Sequence, residues 1–398
     1  MKTNTFLEKL LQGAPVEWKT LGEVTLWDKR FQGVEGQEKV LSFVHVSAAK
    51  LKSLAVENGD ITLLSTGNFE GFTNREIAEE FINSAEVITI PTGGTANIKY
   101  HNGLFVDSGN LLASSTDSDL YDLKYIYYFL KNINHIIQGF FRGSGVKHPS
   151  MPDILKIQIP IPPLSVQKEI ARILDAFTAI TSELTSELTL RQKQYQHYRD
   201  KLLTFGDEVE WKTLGEIGEV RMCKRILKEQ TADTGEIPFY KIGTFGKEAN
   251  AFISRELFNE YKSKYSYPKK GNILISASGT IGRTVIFDGK DAYFQDSNIV
   301  WIENNESVVL DKFLFYLYQV IKWNIAEGGT IQRLYNDNLK KIKIPIPQIE
   351  EQKRIVEILD KFDTLTNSIS EGLPKEIKLR QKQYEYYRDL LLGFDNLK

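Results

Sequence analysis

Two stretches of the chain place apolar residues at alternating steps of four and three, the spacing that keeps one stripe along one side of a helix. In the first, Ile170, Leu174, Phe177, Leu184, Leu188, Tyr195, Tyr198 and Leu202 form the stripe, with Thr181 and Arg191 in its two polar gaps. In the second, Ile355, Leu359, Phe362, Thr366 and Ile369 lead on to Tyr384, Tyr387 and Leu391. A seam sustained this long predicts a coiled coil; the plainer alternative is a long core helix of a bundle. Each stretch follows an Ile-Pro-Ile-Pro run, at 159–162 and 344–347. That run cannot be helical, because each proline drives the preceding residue out of the helical region. The helices therefore start near Ser165 and after Pro347. The first, about 38 residues at 1.5 Å each, makes a rod of roughly 57 Å. The second carries Gly372-Leu373-Pro374, where a kink or short break is expected, with Pro374 opening a resumed helix.

Outside these helices the period changes. Val87-Ile88-Thr89-Ile90, Ile273-Leu274-Ile275 and Ile299-Val300-Trp301 are short β-branched runs that predict strands. One helix is expected in each of these regions, over about 122–138 and 311–326, with Asp122 and Asp311 as N-caps. Their aromatic faces (Tyr125, Tyr128, Phe129; Phe313, Phe315, Tyr316) read as core rather than as base-stacking platforms.

The chain is also written twice. Glu17-Trp18-Lys19-Thr20-Leu21-Gly22-Glu23-Val24 returns as Glu210-Trp211-Lys212-Thr213-Leu214-Gly215-Glu216-Ile217. The Ile-Pro-Ile-Pro run returns with Gln167-Lys168 and Ile173-Leu174-Asp175 answered by Gln352-Lys353 and Ile358-Leu359-Asp360. Arg191-Gln192-Lys193-Gln194-Tyr195 with Tyr198-Arg199-Asp200 returns as Arg380-Gln381-Lys382-Gln383-Tyr384 with Tyr387-Arg388-Asp389. Weaker matches oppose Gly143-Ser144-Gly145 to Gly328-Gly329-Thr330, and Gly94-Thr95 to Gly279-Thr280. The second helix is four residues longer between its matched blocks, a stutter that locally unwinds a coiled coil. Lys9-Leu10-Leu11 stands before Trp18 as Lys201-Leu202-Leu203 stands before Trp211, so the repeat is circular. The expected fold is α+β (mixed α/β), with two globular domains separated by two long helices. Those helices pair as an antiparallel coiled coil under circular pseudo-two-fold symmetry. The expected divisions are a stub at 1–16, a first domain at 17–157, a helix at 158–205, a second domain at 206–342 and a helix at 343–398.

Composition narrows the classes. Hydrophobic residues at 41% and charged residues at 26% describe an ordinary globular chain of several domains. No apolar run is long enough for a transmembrane helix, and the first residues are too charged for a signal peptide. One cysteine, Cys223, excludes an intrachain disulfide, fits a reducing cytoplasm, and reads as a small buried side chain rather than a nucleophile. With one cysteine and five scattered histidines, a four-ligand zinc site is not expected. The net charge of −2 means that any DNA-binding surface must be local, or shared with partner subunits.

Candidate DNA contacts are polar and basic residues on Gly-rich loops, where the backbone can approach phosphates and long side chains can reach base edges. In the first domain these are Arg142, Ser144, Lys147, His148 and Lys99. In the second they are Arg283, Gln332 and Arg333, with Thr280 and Thr330 as phosphate donors. Lys29-Arg30 and Lys224-Arg225 follow the repeated Trp segments and form a third pair. For any one of these taken singly a solvated surface charge is the plainer reading, and it is the set that points to DNA.

Catalytic patterns are weak. Phe141-Arg142-Gly143-Ser144-Gly145 spells an S-adenosylmethionine loop, but it follows a predicted helix instead of joining strand to helix, and its repeat partner lacks the pattern. Glu17-Trp18-Lys19 and Glu210-Trp211-Lys212 lack the acidic partner of a nuclease metal site, and no Walker A sequence is present.

Two variable domains, each entered near Trp-Lys-x-x-x-Leu-Gly-Glu and left through Ile-Pro-x-Pro-x-x-x-Gln, precede Ile-Leu-Asp and Arg-x-x-x-Tyr-x-x-Tyr-Arg-Asp. Over essentially the whole chain this order resembles the specificity subunit of type I restriction-modification enzymes. The resemblance implies that each variable domain is a target recognition domain, similar in fold to that of monomeric adenine methyltransferases. It implies a non-catalytic cytoplasmic subunit that recognises an asymmetric bipartite site in double-stranded DNA. The paired helices act as spacer and as docking surface for two methyltransferase subunits, which restriction/translocase subunits then join. No cofactor is expected on this chain; S-adenosylmethionine, ATP and Mg are expected on the partners, and no membrane is involved. A stand-alone pseudo-dimeric DNA-binding regulator is the alternative.

Overall fold

The structure of the protein, a computed structural model, describes residues 5–32, 41–323, 333–368 and 370–394. Thr330, Gln332 and the seam residue Ile369 lie outside the described residues. The chain divides into two compact units, residues 1–184 with 377–398 and residues 185–376.

Each unit opens and closes through the same ribbon. The repeated Trp segment Glu17–Thr20 runs antiparallel to Gln158–Ile161, with Trp18 opposite Pro160. In the second unit Glu210–Thr213 runs antiparallel to Lys343–Ile346, with Trp211 opposite Pro345, in the equivalent register. A two-stranded ribbon tolerates these prolines because each strand has an edge that needs no donor. In each unit the Trp segment and the Ile-Pro-Ile-Pro run, two separate repeated motifs, are therefore paired strands. Behind each ribbon a one-turn helix is closed by a capping box, in which Glu23 and Glu216 accept from the backbone N–H of Thr20 and Thr213 at 2.6 Å.

The first unit holds a six-stranded sheet in the order Thr25–Trp27, Asn110–Ser115, Asn83–Pro91, Lys99–Asp107, Ile61–Leu64, Phe72–Thr73. The second unit holds Gly218–Arg221, Ile299–Asn304, Ile273–Ser276 and Thr284–Ile286 in one sheet, and Phe252–Ile253, Ile237–Tyr240 and Tyr293–Phe294 in another. The two plans are one plan. The long strand Lys99–Asp107, which pairs antiparallel with Asn83–Pro91 and parallel with Ile61–Leu64, corresponds to two short strands in the second unit. Thr284–Ile286 makes the antiparallel half of that pairing and Tyr293–Phe294 the parallel half. All three strand runs expected from sequence lie in these sheets.

The domain helices are shorter than expected. The first is broken at Ile133 into Leu123–Asn132 and Asn134–Gly139, and the second stops at Leu317. Asp122 does cap its helix, accepting from Tyr125 N–H at 2.7 Å. Asp311 does not: it is the first helical residue, and its carboxylate is taken by the side-chain amides of Asn304 and Asn272. Tyr125, Phe313 and Tyr316 are buried, as a core face requires, and Phe315 is partly buried against the same core.

The long helices are Leu164–Leu202, Ile349–Asn367 and Gly372–Leu392. In the first unit Ile170, Leu174 and Leu391 are buried, Tyr384 is partly buried, and Phe177 stacks on Tyr387 with centroids 5.2 Å apart. The N-terminal helix Thr5–Leu11 joins this core through Leu7 and Leu11. In the second unit Ile355 and Leu359 are buried, and Tyr195 and Tyr198 stack on Phe362 at 6.2 and 5.7 Å. Leu184, Leu188 and Leu202 are half-buried, and the polar gaps Thr181 and Arg191 share that exposure, so they continue the stripe. The partners of Leu164–Leu202 run in opposite sequence order, as antiparallel pairing demands. The expected break is present: helix ends at Asn367 and resumes at Gly372, whose φ is 71°. A Cβ there would lie 2.4 Å from the Thr364 carbonyl oxygen, so only glycine closes this turn without strain.

A buried glutamine fixes each domain to its long helix. Gln167 has no exposed surface; it donates to the carbonyls of Leu120 (2.9 Å) and Pro162 (2.8 Å) and accepts from Asp122 N–H (2.9 Å). Gln352, equally buried, donates to Val308 (3.0 Å) and Pro347 (2.8 Å) and accepts from Leu310 N–H (2.9 Å). Two helical turns on, Asp175 accepts from Tyr128 hydroxyl (2.6 Å) and pairs with Lys124. Asp360 accepts from Tyr316 hydroxyl and pairs with Lys312 (2.6 Å).

Candidate nucleic-acid interface

The Gly-Thr matches fall on equivalent hairpin loops. Residues 92–98 join two strands of the first sheet, and residues 277–283 join Ile273–Ser276 to Thr284–Ile286. Each hairpin loop lies against the segment that carries the Gly-rich match. In the first unit Gly94 N–H donates to the Lys147 carbonyl (2.8 Å), and His148 Nδ1 lies 2.6 Å from the Thr92 carbonyl oxygen. In the second Leu334 N–H donates to the Ala277 carbonyl (2.8 Å), and Ser278 and Arg333 form a β-bridge. In both units the fold thus brings a hairpin loop against a segment more than 50 residues on in sequence, with the hairpin donating in the first and accepting in the second.

In the first unit Arg142, Ser144, Lys147 and His148 are exposed on this double loop, and Arg142 pairs with Asp153 at 2.8 Å. Lys99 is placed differently. Its ammonium donates to the carbonyls of Ser65 (2.7 Å) and Gly67 (2.8 Å), and burial lowers its pKa. It holds the 65–69 turn and presents no free donor. Lys29 and Arg30 are exposed just after Thr25–Trp27.

In the second unit four segments converge on a pocket of about 310 Å³ lined by Arg225, Lys228, Lys241, Gln295, Asn298 and Arg333, among others. Arg225 Nε donates to Asp296 (2.9 Å), Arg333 to the Ser297 carbonyl (3.1 Å), and Ser278 hydroxyl to Asn298 (2.8 Å). Arg283 lies on the hairpin, where it donates to the Phe245 carbonyl (2.9 Å); Thr280 is exposed at the tip. Lys224 stands over the Tyr265 ring, 5.1 Å from its centroid. Gly282, with φ at 80°, leaves room for the Trp323 indole, 2.1 Å from where a Cβ would stand.

One further match between the halves emerges from the topology. Phe105-Val106-Asp107-Ser108-Gly109-Asn110 and Phe294-Gln295-Asp296-Ser297-Asn298 form the same turn after the parallel strand. The turn needs a left-handed residue, supplied by Gly109 (φ 88°) in one and Ser297 (φ 54°) in the other. In the first unit Asp107 is fully buried, and His45 Nδ1 lies 2.7 Å from it, while His45 Nε2 lies 3.1 Å from Asp28. These two carboxylates, Asp107 first, raise the His45 pKa to about 9. Cys223 is buried, and burial pushes its thiol up to about 12, which makes it inert at neutral pH. Among the described residues no helix is long and apolar enough to cross a membrane, and no cluster of metal-ligating side chains occurs.

The profile of the family described as "Type I restriction modification DNA specificity domain" matches residues 45–191 and 206–379. A putative type I restriction enzyme specificity subunit of Haemophilus influenzae is 52% identical over 99% of this chain and 100% of its own. The EcoR124I/EcoR124II specificity subunit of Escherichia coli is 35% identical over 99% and 98%. Among solved structures, the type I restriction-modification S subunit of M. genitalium superposes with a TM-score of 0.61, at 20% identity and over 96% of both chains. The duplicated ribbons, helices and paired loops, together with these matches over nearly the whole length, mean that the chain belongs to the type I restriction-modification specificity subunits.

Proposed function

We propose that the chain aims partner subunits at an asymmetric, two-part DNA target, one half read by each domain (17–157 and 206–342). The observation that carries this reading is the repeated juxtaposition of a hairpin loop with a second polar loop. The frame is the same in both units, while the side chains differ: Lys147 and His148 in one, Arg333 and the Arg225 pocket in the other. A shared frame with unlike side chains is what two readers of unlike sequences require. The long helices, at 158–205 and 343–398, set the spacing between half-sites. They also dock two methyltransferase subunits, which restriction/translocase subunits join.

The chemistry belongs to those partners. S-adenosylmethionine, ATP and Mg act on the methyltransferase and translocase subunits, and this chain supplies affinity and register. Basic residues at the loops, with Arg142, Lys147 and Arg333 foremost, provide the local positive charge that a chain of net charge −2 lacks overall. The test is exchange of residues 17–157 for the corresponding domain of a relative, followed by mapping of methylated sites with the methyltransferase present. One half of the target changes and the other persists. A change in both halves, or methylation by the purified chain alone, sinks the reading.

A further inference from the structure

The Phe-x-Asp-Ser turn occurs in both domains, yet its carboxylate is spent differently. In the first domain Asp107 is closed. It accepts from Gly109 N–H (2.6 Å), Asn110 N–H (2.9 Å) and Asn110 Nδ2 (2.6 Å), and His45 fills what remains. Both His45 nitrogens face carboxylates, so nothing in this cluster projects a donor outward. In the second domain the turn is open. Asp296 keeps 16% of its side-chain surface, and the group it holds is Arg225, whose side chain is 68% exposed. The grip is through Nε alone, so among the described residues both terminal nitrogens of the guanidinium carry no hydrogen bond. The carboxylate is itself set by the Ser297 hydroxyl (3.1 Å) on a left-handed residue that is not glycine, a strained backbone of the kind that persists at binding sites.

We propose that Arg225, positioned by Asp296, reads a guanine in the half-site of the second domain, and that the closed turn of the first domain reads no base. The assignment rests on the reading of the domains as sequence-specific. Three features favour a base over a phosphate. A guanidinium already paired with a carboxylate is a weak anion anchor but keeps its directional donors. Two parallel N–H groups match the O6 and N7 acceptors that guanine alone presents side by side in the major groove. The ion pair also removes side-chain freedom before DNA arrives, which lowers the entropy cost of a bidentate contact.

The experiment measures Kd by fluorescence anisotropy for the full chain in complex with its methyltransferase subunits, on duplexes substituted one base pair at a time. Wild type shows one G·C pair in the second-domain half-site that both Arg225→Lys and Asp296→Asn stop discriminating, by about 10-fold or more, with every other position unchanged. Replacing that guanine by 7-deazaguanine, which lacks the N7 acceptor, weakens wild type and leaves Arg225→Ala unaffected. Equal weakening of Arg225→Ala on all sequences makes the residue a phosphate contact and overturns the proposal, while the domain reading stands. Loss of discrimination at a pair other than G·C also overturns it. A wild-type complex that prefers no sequence removes the domain reading itself. Arg225 is exposed, so the lysine variant folds and leaves no outcome mute.

Discussion

Gln167→Met tests how a recognition domain is fixed to its helix. Methionine matches glutamine in length and in lack of branching, so the cavity stays filled and only the polar atoms are lost. Three groups then lose a partner: the Pro162 carbonyl, which is buried, and the Leu120 carbonyl and Asp122 N–H, which are partly so. A buried polar group left unpaired costs about 1–3 kcal/mol. The two partly buried groups regain some water, so the substitution costs about 2–4 kcal/mol in all. Global unfolding sums over two units, so a local readout reports this lock more directly. Native-state hydrogen exchange at Asp122 and along Leu123–Asn132 reads the local opening directly. Exchange there accelerates by about 30- to 1,000-fold. Gln352→Met does the same at Leu310 and along Asp311–Leu317, by a matching factor, because its hydrogen bonds match atom for atom. Acceleration under about 5-fold in a folded variant, or a large effect in one unit and none in the other, refutes the lock.

His45 gives a pH signature. Its folded pKa of about 9 lies above the ordinary 6.5, so its contribution is complete below about pH 6.5 and disappears as pH rises through about 9. Allowing for its partial exposure, about 1–3 kcal/mol is at stake, and urea midpoints at pH 6.5 and 9.5 should differ in wild type and converge in His45→Gln. Gly372→Ala places a Cβ 2.4 Å from the Thr364 carbonyl oxygen at a left-handed φ. It should cost about 2 kcal/mol or more, read as a lowered thermal midpoint; a neutral result means that the break is not sterically set. Tyr128→Phe removes the hydroxyl that donates to Asp175 at 2.6 Å and should cost about 1–3 kcal/mol, visible by calorimetry, with Asp175→Asn nearer to wild type.

The helices were legible because their signals are local. Proline sets the start of Leu164–Leu202 within a residue, and a heptad stripe declares its buried side. The break at Gly372 followed from a four-residue mismatch and a Gly-x-Pro sequence. The domains were legible only as a duplication, since their order depends on pairings across many residues. Asp311 looked like a cap until the amides of Asn272 and Asn304, brought in by neighbouring strands, claimed its carboxylate. Lys99 looked like a DNA contact, but the Ser65 turn, 34 residues away, occupies its donors. The Asp107 and Asp296 turns were hidden by one inserted glycine and by the different cations that they hold. Gln167 and Gln352 were visible as a repeated letter, but their role was not, because buried glutamine and surface glutamine are spelled alike.

The ribbons have a consequence for descent. Because each domain enters and leaves the helical scaffold through adjacent antiparallel strands, Glu17–Thr20 beside Gln158–Ile161, its two ends are neighbours in space. To the scaffold, such a domain is no more than a long loop, and lengthening a loop costs little closure entropy. The residues of these strands are also near-identical in the two halves and frame the diverged interior on both sides. Exchange of everything between them replaces a whole domain at one stroke, leaving both the helices and the ribbon intact. Under the two-part reading proposed above, such an exchange would generate a new target from two old halves.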